Sequence, residues 1–304
     1  MNYATLTQVR AYLGLAAAET GEDALLTRFI KSADGYINGI RRGDVRYETR
    51  LYDYPLRRYE ALGAYDADTF VTQMNVMVDL GRGRLRLDDD LLYLVSVANG
   101  DGTAVALTDL VQEPPNLYPK GALRLKSGKG LAWLPGSDGT YEQVISVTGW
   151  WGYHPDYGTA WVDSLDTVKN SSGITAAATS ITVSDADGAA ADLDSPRFQA
   201  GQLLKLESEF LDLLAVNTST NVLTVKRGVN GTTAAAHAKE TSIYLYRPYE
   251  NLVQAALRLV AWRYRQKDVN NFDKTVSFET GVVIVPSAVP ADIKALLPAL
   301  RLTL

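Results

Sequence analysis

The sequence predicts an α+β protein whose two chain ends form a helical core, interrupted by an antiparallel β domain and by a second small inserted β barrel or sandwich. Three observations predict it. Apolar residues recur at helical spacing near both termini, and the middle of the chain switches to strand-like alternation. Near Leu165 the composition shifts, and the run from Lys169 to Thr182 is rich in Ser, Thr, Ala and Gly. The domains expected are a helical core of residues 1–43 and 249–304, a β domain of 44–164 and an inserted small β domain of 165–248.

Each element follows from local chemistry. Thr5 and Gln8 have the spacing of a capping box, Leu6, Val9, Tyr12 and Leu13 share a face, and Gly14 suits a helix stop. Gly21-Glu22-Asp23 places acids at the start of a second helix, where the exposed N–H groups favour negative charge. Its stripe is Leu25, Leu26, Phe29, Ile30, Ala33, Ile37 and Ile40, and it ends in Arg41-Arg42-Gly43.

Strands are expected around Arg46–Tyr54, Phe70–Val78, Leu91–Val97 and Val144–Thr148, with Asn99-Gly100-Asp101-Gly102 as a hairpin turn. No crossover helix lies between them, which favours antiparallel pairing. In the second block the strands are Ser180–Ser184, Gln202–Val216 with a turn or bulge, Asn221–Lys226 and Thr241–Tyr246. Helical spacing returns after Pro248 with Leu252, Ala255, Ala256, Leu259, Val260 and Trp262. A β-rich Val282–Val285 precedes a final helix with Pro290 in its first turn and Ile293, Leu296 and Leu297 on its face, and Pro298 ends or kinks it.

Composition narrows the chemistry. A chain of 304 residues, 46% hydrophobic and 21% charged, is long enough for two or three folded domains. Its formal charge of -5 carries no global basic footprint of the kind that grips phosphate backbones. Without cysteine there is no disulfide, thiolate nucleophile or cysteine-bound metal. The start, Met1-Asn2-Tyr3-Ala4-Thr5, has no basic region followed by an apolar run, and no stretch reaches the roughly 20 apolar residues of a membrane span, so a soluble chain made in the cytoplasm is expected.

Chemical sites have bland competitors. His154 and His237 are the only histidines, too few for most metal sites and triads. Asp88-Asp89-Asp90 and Asp185-Ala186-Asp187-Gly188 could hold a hard cation, but neither completes a calcium loop, and turn formation explains both. Glu207 and Glu209 read as same-face strand residues. A solvated strand face accounts for them without a glycosidase pair. Trp133, Trp150, Trp151 and Trp161 could stack on sugars, or fill cores and interfaces. Gly81-Arg82-Gly83 and Arg227-Gly228-Val229-Asn230-Gly231 lack phosphate-loop spacing. Arg258, Arg263, Arg265 and Lys267 form a local basic cluster on the late helix.

Several strings, in order, carry a resemblance: Leu25-Leu26 and Phe29-Ile30 before Arg41-Arg42-Gly43, Trp262-Arg263-Tyr264-Arg265, and Val289-Pro290-Ala291-Asp292-Ile293-Lys294. Between them lie Leu85 to Leu92, Val95 to Gly102 and Ile145 to Tyr153. Together they resemble the head-to-tail connector (adaptor or neck) proteins of long-tailed double-stranded DNA phages. The second block departs from a minimal adaptor. Its Gly201–Glu209 and Val225–Thr232 runs resemble small β modules of other phage structural proteins.

The resemblance implies a structural virion protein and not an enzyme, without cofactor or metal. It would form a homo-oligomeric ring, a dodecamer matched to the portal, at the head-tail junction. Partners implied are itself, the portal protein, a stopper or tail-completion protein, and genomic DNA passing through without specific binding, with no membrane. Portal or inter-subunit contacts are expected at Leu25, Phe29, Arg41, Arg42, Trp262, Arg263, Arg265, Ile293, Leu296 and Leu297. A rival reading is a tail-fibre or baseplate β module that binds host glycan, and a third is a carbohydrate-cleaving β protein using Glu207.

Overall fold

A computed structural model describes residues 1–16, 19–53, 84–267, 275–276, 283–284 and 289–297. The chain divides into two compact units, Val45–Tyr157 and a second made of Met1–Asp44 with Gly158–Leu302. Each contains one six-stranded antiparallel sheet.

In the Val45–Tyr157 unit the strands are β1 (Arg46–Tyr52), β2 (Arg84–Ala98), β3 (Ala104–Val105), β4 (Leu110–Glu113), β5 (Lys120–Leu125) and β6 (Ile145–Trp151). They lie in the order β1-β6-β2-β5-β4, with β3 on β2. The 15-residue β2 serves three partners, β3 at its end and two longer ones. Its first half pairs with β5 and its second half with β6, and the register shifts between Arg86 and Leu91. The Asp88-Asp89-Asp90 run falls at this shift, where a bulge bends the strand. Leu85 and Leu87 before it, and Leu91, Leu94 and Val97 after it, enter one core with Leu123, Leu125, Ile145, Val147, Trp133 and Trp151. Asn99 begins the expected turn, with Gly102 N–H donating to its carbonyl at 2.9 Å.

The other unit holds helices α1 (Leu6–Leu13), α2 (Asp23–Ile40), α3 (Glu250–Gln266) and α4 (Ala291–Leu296). Its sheet comprises β7 (Trp161–Thr167), β8 (Ser180–Thr182), β9 (Leu203–Leu206), β10 (Glu209–Asn217), β11 (Val222–Lys226) and β12 (Ser242–Tyr246). Their order is β7-β12-β9-β10-β11-β8. Leu204, Leu206, Leu211, Leu213, Leu223, Val225, Ile243 and Leu245 form its core with Phe198. A two-stranded pair, β13 (Thr275–Val276) and β14 (Val283–Ile284), completes the described strands.

The capping box of α1 is present, with Thr5 accepting from Gln8 N–H and Gly14 closing the helix in a left-handed conformation. Pro290 is the N-cap of α4 instead of lying in its first turn. Phe70–Val78, Gly81-Arg82-Gly83 and Pro298 lie outside the described residues.

The expected fold class is corrected. Among the described residues the chain is mostly two antiparallel sheets with four α-helices and 22% helix, and not a helical core formed by both chain ends. The physical reason is that the helices close on the second sheet through polar contacts that local periodicity does not register. Asn2 N–H donates to Gly201 O at 2.8 Å, and Tyr246 OH to Gly43 O at 3.1 Å. Thr5 Oγ1 donates to Gln199 Oε1 at 2.6 Å. Helices and sheet share one compact unit.

Close backbone approach and open helix surface make opposite predictions for two glycines. A Cβ at Gly149 would sit 2.5 Å from Tyr93 O across the β6–β2 pairing, whereas one at Gly35 in α2 meets nothing within 4 Å. Gly149→Ala should lower stability by about 1–3 kcal/mol. Gly35→Ala should raise it by about 0.5–1 kcal/mol. Urea unfolding of the two variants checks both signs.

Candidate functional site

The expected contact residues fall on the helices of one unit. In α2, Leu26, Ile30, Ala33 and Ile37 are buried, leaving Leu25 and Phe29 half-buried at the margin of the apolar stripe. Arg41 is the C-cap of α2, its N–H donating to Ile37 O, and Arg42 lies 3.9 Å from Asp44. In α3, Trp262 and Arg263 are half-buried and Arg265 is exposed. Burial lowers the pKa of Arg263. On α4, Ile293 is only 1% exposed and packs inside its own unit, while Leu296 and Leu297 are half-buried. Arg258 pairs with Asp292, and Lys267 with Glu22 at 2.6 Å, so part of the basic cluster is neutralised within the chain.

On the buried face of α2 is Asp34, a carboxyl that accepts Tyr3 N–H at 3.1 Å. Burial pushes its pKa up to about 7, against the stabilising Tyr3 N–H and with a further push from Asp44. Tyr3 OH bonds Asn38 and accepts Gly43 N–H at 2.8 Å. This joins the first residues of the chain to the end of α2.

A second buried constellation joins residues that are distant in sequence. Glu209, at the start of β10, accepts from Arg227 Nε at 2.7 Å and Arg227 Nη2 at 2.6 Å. Gly228 N–H adds 2.9 Å and Ala235 N–H 3.0 Å. His237 is sandwiched between carboxylates, with Nε2 at 2.8 Å from Glu209 and Nδ1 at 2.8 Å from Glu207. Burial is the largest single influence on Glu209 and opposes ionisation. Arg227, the two amides and His237 together outweigh it and hold the carboxyl down at about 2.

This arrangement corrects the strand reading of Glu207. Glu207 lies in the turn between β9 and β10 at φ 51°, not beside Glu209 on a strand face. The two acids are bridged by one imidazole, and Glu209 is fully engaged with donors of its own chain. The sequence offers His237 only as one of two histidines, too few for most metal sites and triads. The nearest available signal was an acid opening the apolar run Phe210-Leu211.

Other candidates close on themselves in the same way. Arg50 donates to Asp89 at 2.8 Å and Glu48 at 2.9 Å, pairs with Asp88 at 3.2 Å, and lies 4.9 Å over the Trp151 ring. Asp185 accepts Gly188 N–H at 3.1 Å and pairs with Arg197 at 3.2 Å. Among the described residues no cluster of three or more His, Asp or Glu side chains is arranged to hold a metal ion. His154 is buried, and its Nδ1 accepts Asp156 N–H at 3.1 Å.

The tryptophans divide. Trp133 and Trp151 are core residues. Trp161 stacks on Phe210 at 5.2 Å, with Lys205 Nζ 4.5 Å over the Trp161 ring. Trp150 belongs to a run of rings: Tyr93–Trp150 at 5.1 Å, Trp150–Tyr157 at 6.4 Å and Tyr157–Tyr118 at 5.8 Å. Tyr93 is 53% exposed, and the adjacent loop presents Leu117 at 65%.

Comparison of the chain with models of protein families, with curated proteins and with solved structures finds no match.

Two carboxyls give pH signatures of opposite sign. Glu209, depressed to about 2, contributes stability present above its unfolded value of about 4.3 and lost as pH falls toward 2. Glu209→Gln should cost about 3–5 kcal/mol at pH 7, because Arg227 is left buried without its carboxylate. Asp34, raised to about 7, contributes stability below about 3.9 that is lost as pH rises through 7. Asp34→Asn keeps the acceptor for Tyr3 N–H and should raise stability at pH 8 by on the order of 1–2 kcal/mol, flattening the profile between pH 4 and 7. Denaturant melts across pH 3 to 9 read both effects.

Proposed function

We propose that this chain is a structural component of a tailed phage particle, a head-to-tail adaptor that forms a ring beneath the portal. The observation that carries a mechanical over a chemical role is the disposition of side chains on both units. Large apolar groups stand at the surface, including Leu51, Tyr93 and Leu117 in one unit and Leu165, Leu193 and Leu214 in the other. The acids best suited to catalysis are held by arginine, histidine or backbone N–H groups of the same chain. A subunit gripped on several sides needs that surface, because interface cores use aromatic and aliphatic anchors.

The resemblance carried by the Leu25–Gly43, Trp262–Arg265 and Val289–Lys294 runs supports the adaptor in particular. In that role the ring extends the DNA channel and offers a platform for the next neck or tail protein. Mild acidity suits a bore through which DNA passes, since each neutralised phosphate would add salt-dependent affinity.

A second reading, a glycan-binding tail module, is favoured by the exposed Tyr93 and Tyr118 and the half-buried Trp150, set around the buried Tyr157, because exposed aromatic faces stack on sugars. One experiment separates the two. An epitope tag near Ser172, imaged in particles by electron microscopy, should label a ring at the head-tail junction. Label at the tail tip would move the protein to host recognition, and Trp150→Ala should then abolish glycan binding.

A further inference from the structure

Two leucines in the sheet-and-helix unit occupy backbone that leucine avoids. Leu165 has φ 60° and Leu193 φ 68°, in the left-handed region where a side chain crowds the following carbonyl. Both are also highly exposed, at 63% and 84%. Burial therefore explains neither, although strained residues persist only where their surroundings hold them.

The surroundings here are specific. Leu165 sits where the β7–β12 register shifts, and its N–H donates to Asp163 Oδ1 at 2.8 Å. Leu193 sits between Asp192 and Asp194, and both acids reach Arg247, at 2.7 and 3.1 Å. The Leu193 loop lies against β7 through Ala191 N–H to Asp163 O at 3.0 Å, and Arg197 donates to Ser164 O at 2.9 Å. β7 ends the sheet order. The result is one sheet edge that presents two aliphatic knobs framed by three carboxylates, with Arg247 as the guanidinium that pairs with Asp192 and Asp194.

The complementary chemistry is on α3. Helical spacing puts Gln254, Arg258, Trp262 and Arg265 on one stripe, an indole between Arg258, which is already paired with Asp292, and Arg265. Trp262 is half-buried and Arg265 is exposed with no ion pair among the described residues.

We infer that the edge carrying Leu165 and Leu193 docks on the Arg258–Trp262–Arg265 face of a second copy of the chain. The leucines pack on the indole, and the edge, with three carboxylates against the one guanidinium of Arg247, faces Arg265. The two faces differ, so the contact repeats head to tail and closes into a ring if the rotation allows. This deepens the ring reading above and rests on it.

The chain has no cysteine, which makes a cross-linking test clean. Leu193→Cys and Arg265→Cys are combined in one chain and treated with a short bis-maleimide reagent. A ladder of covalent multimers is expected from the double variant. Mixing the two single variants should give dimers only, and each alone should stay uncrosslinked. A double variant that yields no more product than the single variants overturns the contact. If micrographs of the same wild-type protein show rings, that failure leaves the ring reading standing; absence of rings removes both.

A second measurement separates docking from a structural role. Leu165→Gly with Leu193→Gly should weaken self-association at least tenfold and leave the melting temperature unchanged or higher, because glycine adopts this backbone without strain. A lower melting temperature with association unchanged would assign the leucines to the fold and overturn the inference.

Discussion

A carboxylate removed from water must be met by donors, and Glu209 is met by five hydrogen bonds from Arg227, Gly228, Ala235 and His237. Much of the second sheet depends on that requirement. The chain from Arg227 to Glu240 has little regular structure of its own, yet it is drawn back over the β9–β10 turn by these bonds and by His237 to Glu207. Arg227 also donates to Thr175 O at 2.9 Å and Ala178 O at 3.1 Å, which secures the entry to β8. One ionised group thus positions segments spread over some 60 residues of sequence. The apolar layer beneath it, Leu204, Leu206, Leu211 and Leu213, stays dry.

Elements whose cause is local were legible. The α1 capping box, the α2 stripe, the start of α3 after Pro248 and the Asn99–Gly102 turn all follow from residues within a few positions of one another. The assembly of those elements was not legible, because its determinants are far apart. Gln199 and Thr5 are separated by 194 positions, and Tyr246 and Gly43 by 203. Glu207 was misread for a different reason. The run Leu204-Lys205-Leu206-Glu207-Ser208-Glu209-Phe210 keeps alternating through a turn that uses neither Gly nor Asn, so period two runs on where the backbone reverses. Of the expected contact residues, Arg265 and the edges of Trp262, Leu25 and Phe29 are open to neighbours, while Ile293 is spent on its own unit.

Charge placement and apolar exposure make a consistent physical account. Internal ion pairs absorb the acids that sequence inspection would put forward for catalysis, and the surface keeps Leu165 and Leu193 exposed at positive φ. In the proposed ring such leucines are already ordered in the free subunit, so their ordering cost is met before association.

The most direct measurement is sedimentation velocity of the purified chain over a wide concentration range. The adaptor account predicts a single discrete oligomer that does not grow further once formed, as a closed ring requires. A chain that stays monomeric throughout, or that lengthens without limit as concentration rises, would contradict it.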